Sequence, residues 1–211
     1  MKNKINHPPL QINSGSFVDG SWFQKIAEYF KHEHTVNAFP SILEIKEWTR
    51  SDLAKKTGTV TESVIFKKAV SFNGILPPDY LCKDLKKAIP SIIRNHALVE
   101  AGFELSLLPV ERGSNGFLQK GVDVELALTV YEKAVSENLD IVVLFAGDAD
   151  FVPLLRRLER AGIRTLLVTH PKMTSKSLIR AATWTIELKR AIESDDELRI
   201  KIFGEPLQIA A

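Results

Sequence analysis

Cysteine is almost missing from this chain. Cys82 stands alone among 211 residues, so no intrachain disulfide framework can form and no zinc centre built on several thiolates is possible. Chains of this kind belong in reducing compartments. Long apolar runs are missing too. No segment approaches the roughly 18 consecutive apolar residues of a membrane-spanning helix, and residues 1–9 lack the apolar stretch of a secretory signal. The five histidines never fall at the H-x-x-x-H spacing of a helical zinc site. There is no G-x-S-x-G elbow, Walker loop or dinucleotide fingerprint, which sets aside triad hydrolases, P-loop NTPases and Rossmann dehydrogenases. Nor is there a large excess of one charge. With 28 Lys and Arg against 26 Asp and Glu, the formal charge is +2, so binding to nucleic acid would need a local basic patch. The expectation is a soluble cytoplasmic protein with no membrane partner.

What is present is an ordinary globular mix, 45% hydrophobic and 26% charged, in a chain long enough to bury a substantial core. Residues 1–13, with Pro8 and Pro9, read as a flexible leader. A short apolar strand at 16–19 ends in Asp19-Gly20. Trp22, Phe23, Ile26, Ala27 and Phe30 repeat at helical spacing over 21–34, and a second helix is expected over 41–56. Residues 62–72 read as a strand, followed by a loop at Asn73-Gly74 and Pro77-Pro78. A helix over 79–101, interrupted by Pro90, leads to a strand at 103–110, and 111–121 reads as a polar loop.

The second half is more regular. Residues 122–137 form a helical pattern. The run DIVVLFA at 140–146 suits a central strand buried on both faces. A helix over 150–161, a buried strand at 163–169, a helix over 172–182 and a short strand at 184–188 follow. The alternation argues for a three-layer α/β domain with a mostly parallel central sheet, in which right-handed crossovers gather the loops after the strands on one edge. That domain is expected over 14–190, with a helical insert at about 35–62 and a charged tail at 191–211.

Aspartates fall where that edge should be. Asp19 ends the first strand, Asp148 and Asp150 follow the DIVVLFA strand, and Asp123 opens the helix after the 111–121 loop. Each alone has an ordinary explanation: Asp150 or Asp123 as a helix cap, Asp19-Gly20 as a turn. Together they form a set of hard oxygen donors from three chain segments. Such donors suit Mg²⁺ or Mn²⁺, and an ion held by them supports phosphoryl chemistry.

Three blocks, Phe17-Val18-Asp19-Gly20, KGVDVELA at 120–127 and AGDADFVPL at 146–154, resemble the signatures of NYN domains of the LabA-like branch, in the family's order. The closing segment with Ser175, Leu178 and Ala182 extends the likeness, which covers about residues 14–190. The resemblance implies a PIN-like (Rossmann-like) nuclease fold, a site of Asp19, Asp123, Asp148 and Asp150 holding Mg²⁺ or Mn²⁺, and RNA as substrate. Three departures from the family pattern stand out: Ser21 and Trp22 stand where many relatives have Asn, Thr129 where many have Asp, and Thr183 where many have Asp.

A phosphodiester substrate needs cations nearby. Arg112 and Lys120 flank the loop before Asp123, and His170, Lys172, Lys176 and Arg180 follow the 163–169 strand, with Ser175 and Ser177 able to donate to phosphate at a helix start. Lys120 could instead neutralise the carboxylates. Arg156, Arg157 and Arg160 read as a solvated helix face, and Trp22 as a core residue rather than a base-stacking platform. The leading function is a metal-dependent ribonuclease. The alternative is a catalytically inactive module binding RNA or a protein partner, motivated by Thr129, Thr183 and Trp22. A homodimer is compatible with either. An aspartyl phosphatase is a distant third, because Val152 replaces the Thr of D-x-D-x-T.

Overall fold

The structure is a computed structural model that describes residues 11–33, 39–77, 85–113, 116–118 and 120–204. Eight β-strands lie within them. Six form one wholly parallel sheet, and the other two pair separately. β1 is Ile12–Asp19, β2 Val64–Ile75, β3 Glu104–Pro109, β6 Ile141–Phe145, β7 Arg164–Thr169 and β8 Trp184–Glu187. The sheet order is β3-β2-β1-β6-β7-β8. The chain therefore winds outward from β1 in one direction, returns, and winds outward from β6 in the other. The adjacent pair β1 and β6 is the point where strand order reverses, and in open α/β sheets that is where a crevice opens beyond the strand ends.

The helices cover both faces. On one side lie α1 (Gly20–Glu33), α2 (Ile42–Thr57), α3 (Leu85–Glu100), α7 (Leu188–Ser194) and α8 (Asp196–Phe203). On the other lie α4 (Val122–Ser136), α5 (Val152–Arg160) and α6 (Lys176–Ala181). Both faces of β6 are buried along its whole length, as the unbroken apolar run requires. Its alternate side chains feed the two cores: Ile141, Val143 and Phe145 one side, Val142 and Leu144 the other. The three-layer α/β expectation is met.

Several local expectations shift. β1 starts at Ile12, ahead of residue 16, because Ile12 pairs with Val64 and Ser14 with Ile141. β2 runs through Asn73-Gly74, since both residues pair with β3, at Leu107 and Leu108. Ladder hydrogen bonds there outweigh the local turn preference of the dipeptide. The 111–121 loop contains a small antiparallel hairpin, β4 (Glu111–Gly113) with β5 (Gly116–Leu118). Part of the expected 79–101 helix, residues 79–84, lies outside the described residues. The expected C-terminal tail contributes α8, whose Ile202 and Phe203 are buried. Phe203 packs 5.3 Å from the ring of Phe30, and Ser41 donates its backbone N–H to the Ile202 carbonyl at 2.8 Å. Among the described residues no helix is long and apolar enough to cross a membrane.

Candidate functional site

β1 delivers Asp19 to the carboxyl edge of the sheet, between Phe72 of β2 and the end of β6. The side chain is 5% exposed. Its Oδ1 accepts the backbone N–H of Ser21 at 2.9 Å. Burial pushes the Asp19 carboxyl above the ordinary carboxylate range. Hydrogen bonds from Ser21 and Trp22, and the charge of Lys25, oppose that shift without cancelling it.

β6 delivers the Gly147-Asp148-Ala149-Asp150 loop to the same edge. Asp148 is the N-cap of a 3-10 turn over 149–151, its Oδ1 accepting the N–H of Asp150 at 3.1 Å. The capping role considered for Asp150 thus belongs to Asp148, and the Asp150 carboxylate is exposed. Asp123 lies in the first turn of α4, whose N-cap is Gly121 at φ 76° with no side-chain cap. Asp123 is therefore not a helix cap either.

The electrostatics of Asp123 tie the set together. Its carboxyl is raised above the ordinary range by partial burial, then by the negative charges of Asp19, Asp148 and Asp150, with Lys25 opposing. Asp19, Asp148 and Asp150 are thus each within electrostatic reach of Asp123. Among the described residues, no three His, Cys, Asp or Glu side chains converge closely enough to enclose an ion directly. An all-oxygen set of this kind fits Mg²⁺ or Mn²⁺, because Mg²⁺ is usually held by only one or two carboxylates and keeps several waters.

Two elements of the site escaped the sequence reading. Asn73, at the end of β2, is 2% exposed, and its Nδ2 donates to the Ser71 hydroxyl at 3.0 Å. Its Oδ1 sits so close to Gly20 that a Cβ there would lie 1.7 Å away. An amide therefore abuts the residue after Asp19, although Ser21 and Trp22 stand where relatives have Asn. Lys25 is the second. It lies on the exposed side of α1 and is the cation that counters both Asp19 and Asp123.

The GDAD loop is clamped from behind. A Cβ at Gly147 would stand 1.9 Å from the Met173 carbonyl oxygen and 2.6 Å from Trp22 Cδ1, and Ser175 donates its N–H to the Gly147 carbonyl at 2.8 Å. Gly147→Ala is expected to cost about 1–3 kcal/mol through overpacking, read as a lower denaturant midpoint at unchanged m-value. A wild-type midpoint would show that the clamp yields freely.

The proposed phosphate cations distribute differently from expectation. Lys120 pairs with Glu111 at 2.8 Å and is not among the charges that oppose the shifts at Asp19 and Asp123. The backbone of Arg112 pairs with Phe117 in the hairpin, and its side chain lies outside the described residues. Lys172 stands 5.3 Å over the Tyr29 ring and 3.9 Å from Glu33, toward the far end of α1. Ser175 caps α6, its Oγ accepting the Leu178 N–H at 3.2 Å, so its hydroxyl oxygen is already engaged. Lys176, in the first turn of α6, is exposed.

His170 is no phosphate contact. It is fully buried, edge-on to Tyr29 at 4.4 Å, and its Nδ1 accepts the Lys172 N–H at 3.3 Å. Trp22 is 3% exposed and serves the core. Thr183 lies at the opposite sheet edge. It exchanges hydrogen bonds with Thr165, near the start of β7, at 3.0 Å each way. A carboxylate missing at that position removes nothing from the Asp cluster. Thr129 bonds to Glu125 at 3.2 Å and stands about 120° around α4 from Asp123.

The model of the NYN domain matches residues 79–189, more than half of the chain. The chain belongs to the NYN domain family. The matched span holds Asp123, Asp148 and Asp150. β1 and β2, which carry Asp19 and Asn73, precede the matched span and lie next to β6 in the same sheet through β1. An uncharacterized protein of Methanocaldococcus jannaschii is 28% identical over 76 residues, 36% of this chain; the match spans 32% of that relative's length. A crystal structure of a protein of unknown function from Vibrio parahaemolyticus superposes with a TM-score of 0.56 at 20% identity, covering 89% of this chain and 96% of the other. That likeness is one of fold, and the NYN fold is PIN-like.

Proposed function

We propose that this NYN protein is a divalent-metal-dependent ribonuclease, with the KGVDV and GDADFVPL blocks favouring the LabA-like branch of the family. The observation that carries the reading is the placement of carboxylates from three chain segments about the reversal point of the sheet: Asp19 at the end of β1, Asp148 and Asp150 in the loop after β6, and Asp123 in the first turn of α4. Partial burial first, and then the charges of Asp19, Asp148 and Asp150, raise the Asp123 carboxyl, and a cation there relieves that repulsion. Asp19, Asp123 and Asp148 would hold Mg²⁺ or Mn²⁺, with Asp150 assisting directly or through water. Such an ion supplies an activated water and stabilises charge on phosphoryl oxygens.

The chain's own residues do the positioning. The Ser21 N–H fixes Asp19, and the Asp150 N–H fixes Asp148. Lys25, exposed beside the cluster, is the cation best placed to meet a phosphate approaching the carboxylates. Cleavage of labelled RNA should require Mg²⁺ or Mn²⁺ and stop in EDTA; cleavage that EDTA leaves unchanged would overturn the metal role.

The alternative, an inactive module binding RNA or a protein, draws little from this site. Thr183 is remote from the cluster, and Asn73 provides an amide next to Asp19.

A further inference from the structure

Away from the carboxylates, Tyr131 of α4 and the outer side of α5 border an open groove of about 660 Å³, lined also by Pro153, Arg156, Arg157, Arg160 and Ala161. The three arginines are exposed. None of them forms an ion pair with a carboxylate among the described residues. Arg157 instead lies 5.1 Å over the Tyr131 ring. A helix C-terminus favours a cation, but it does not call for three beside an aromatic wall. Arg156 and Arg160, four residues apart with like charge, repel each other and weaken the isolated helix. An anion in the groove removes that cost.

The groove is also connected to the site. α5 begins directly after the turn that carries Asp148 and Asp150. α4 carries both Asp123 and Tyr131, eight residues apart and so about 12 Å along its axis.

We propose that this groove is an exosite for the phosphate backbone of single-stranded RNA, joined to the carboxylate cluster along α4 and α5 so that a strand cleaved at one is held at the other. Three guanidiniums provide planar phosphate recognition. The Tyr131–Arg157 pair offers a stacking surface that tolerates any base. The stacking surface favours a single strand over a duplex, whose paired bases present no free face to stack. The inference rests on the ribonuclease reading for its purpose, but the binding it describes needs no metal ion.

The test is fluorescence anisotropy of a labelled 20-nucleotide oligouridine with the full chain in EDTA, over a series of salt concentrations. Wild type is compared with Arg156→Ala/Arg160→Ala and with Arg156→Lys/Arg160→Lys. The alanine pair should weaken binding roughly tenfold and flatten the slope of log affinity against log salt by about 0.7 for each phosphate left without its arginine. The lysine pair, which keeps the charge, should hold most of the slope. Circular dichroism checks that both variants fold; these exposed positions carry no core packing. Equal affinity and equal slope in all three proteins would overturn the exosite and leave the nuclease reading standing. Weaker binding by the alanine pair, in a protein that cleaves nothing with any ion, would support the exosite and overturn the nuclease reading alone. If a polyglutamate peptide binds wild type and not the alanine pair while RNA binds both equally, the groove is a protein-docking site and the proposal fails.

Discussion

Asp19→Asn should make the protein more stable and stop it cutting RNA. Burial raises the Asp19 carboxyl above its unfolded value. A group with a raised folded pKa contributes its stability below the unfolded pKa and loses it as pH rises through the folded one. At neutral pH the buried Asp19 carboxyl is therefore a net cost to folding, and the neutral amide does not carry it. Asn keeps a side-chain oxygen able to accept the Ser21 N–H, so the local turn survives. The expected result is a higher thermal midpoint at pH 7, by about 2–4 °C for each kcal/mol relieved in a chain of this size. Metal-dependent cleavage should fall by about a hundredfold or more, as expected when a carboxylate of a metal site is lost. The two readouts separate a functional carboxylate from a structural one: a structural Asp19 would give a less stable variant. A variant with lower stability and full activity would contradict its place in the site.

The second large effect is on pH stability and comes from His170. Its imidazole is pushed down to about 4, first by burial and then by the positive charges of Lys189 and Lys172, against the opposing charges of Glu193 and Glu33. A histidine depressed in the folded state contributes stability above its unfolded pKa of about 6.5. That contribution is lost as pH falls toward 4. The window therefore runs from about pH 6.5 down to about 4, and the loss amounts to up to about 3 kcal/mol across it. His170→Phe removes the titration, although it also deletes the acceptor for the Lys172 N–H, so its baseline stability will be lower. The decisive readout is the slope: denaturant midpoints of wild type should fall steeply over this window, and those of the variant should fall much less. Parallel curves would show that His170 is not the group being protonated.

How far the sequence disclosed these features follows from which physical scale each depends on. The buried strand over 141–145 and the helix over 122–136 declare themselves through composition and periodicity alone, because each is dominated by its own burial pattern. The position of three of the carboxylates was equally legible. Asp19, Asp148 and Asp150 follow strands, and parallel topology sends strand ends to one edge. Asn73 was hidden by its neighbour: Asn-Gly is a turn signal in isolation, and only pairing with Leu107 and Leu108 of β3 keeps the strand going. Lys25 and the arginine groove depend on how helices pack, which no local pattern encodes. His170 follows a strand, two residues before Lys172, and reads as one of the cations at that strand end. The ring contacts that bury it come from Tyr29 and Phe30, far away in sequence. The C-terminal segment reads as a charged tail that extends as a helix or frays; the helix Asp196–Phe203 forms there, and its docking through Ile202 and Phe203 is hidden by the charged residues that dominate its composition.

The central claim is that the carboxylates at the reversal point of the sheet cut RNA with the help of a divalent ion. The most direct test is cleavage of labelled single-stranded and structured RNA in Mn²⁺ and in Mg²⁺, with wild type and Asp148→Asn measured side by side. Asp148 is exposed and its replacement keeps an oxygen to cap the 3-10 turn, so the variant should fold like wild type. Cleavage by wild type that needs the ion and is lost in Asp148→Asn is the expected result. Equal rates in the two proteins, or no cleavage by wild type with either ion, would contradict it.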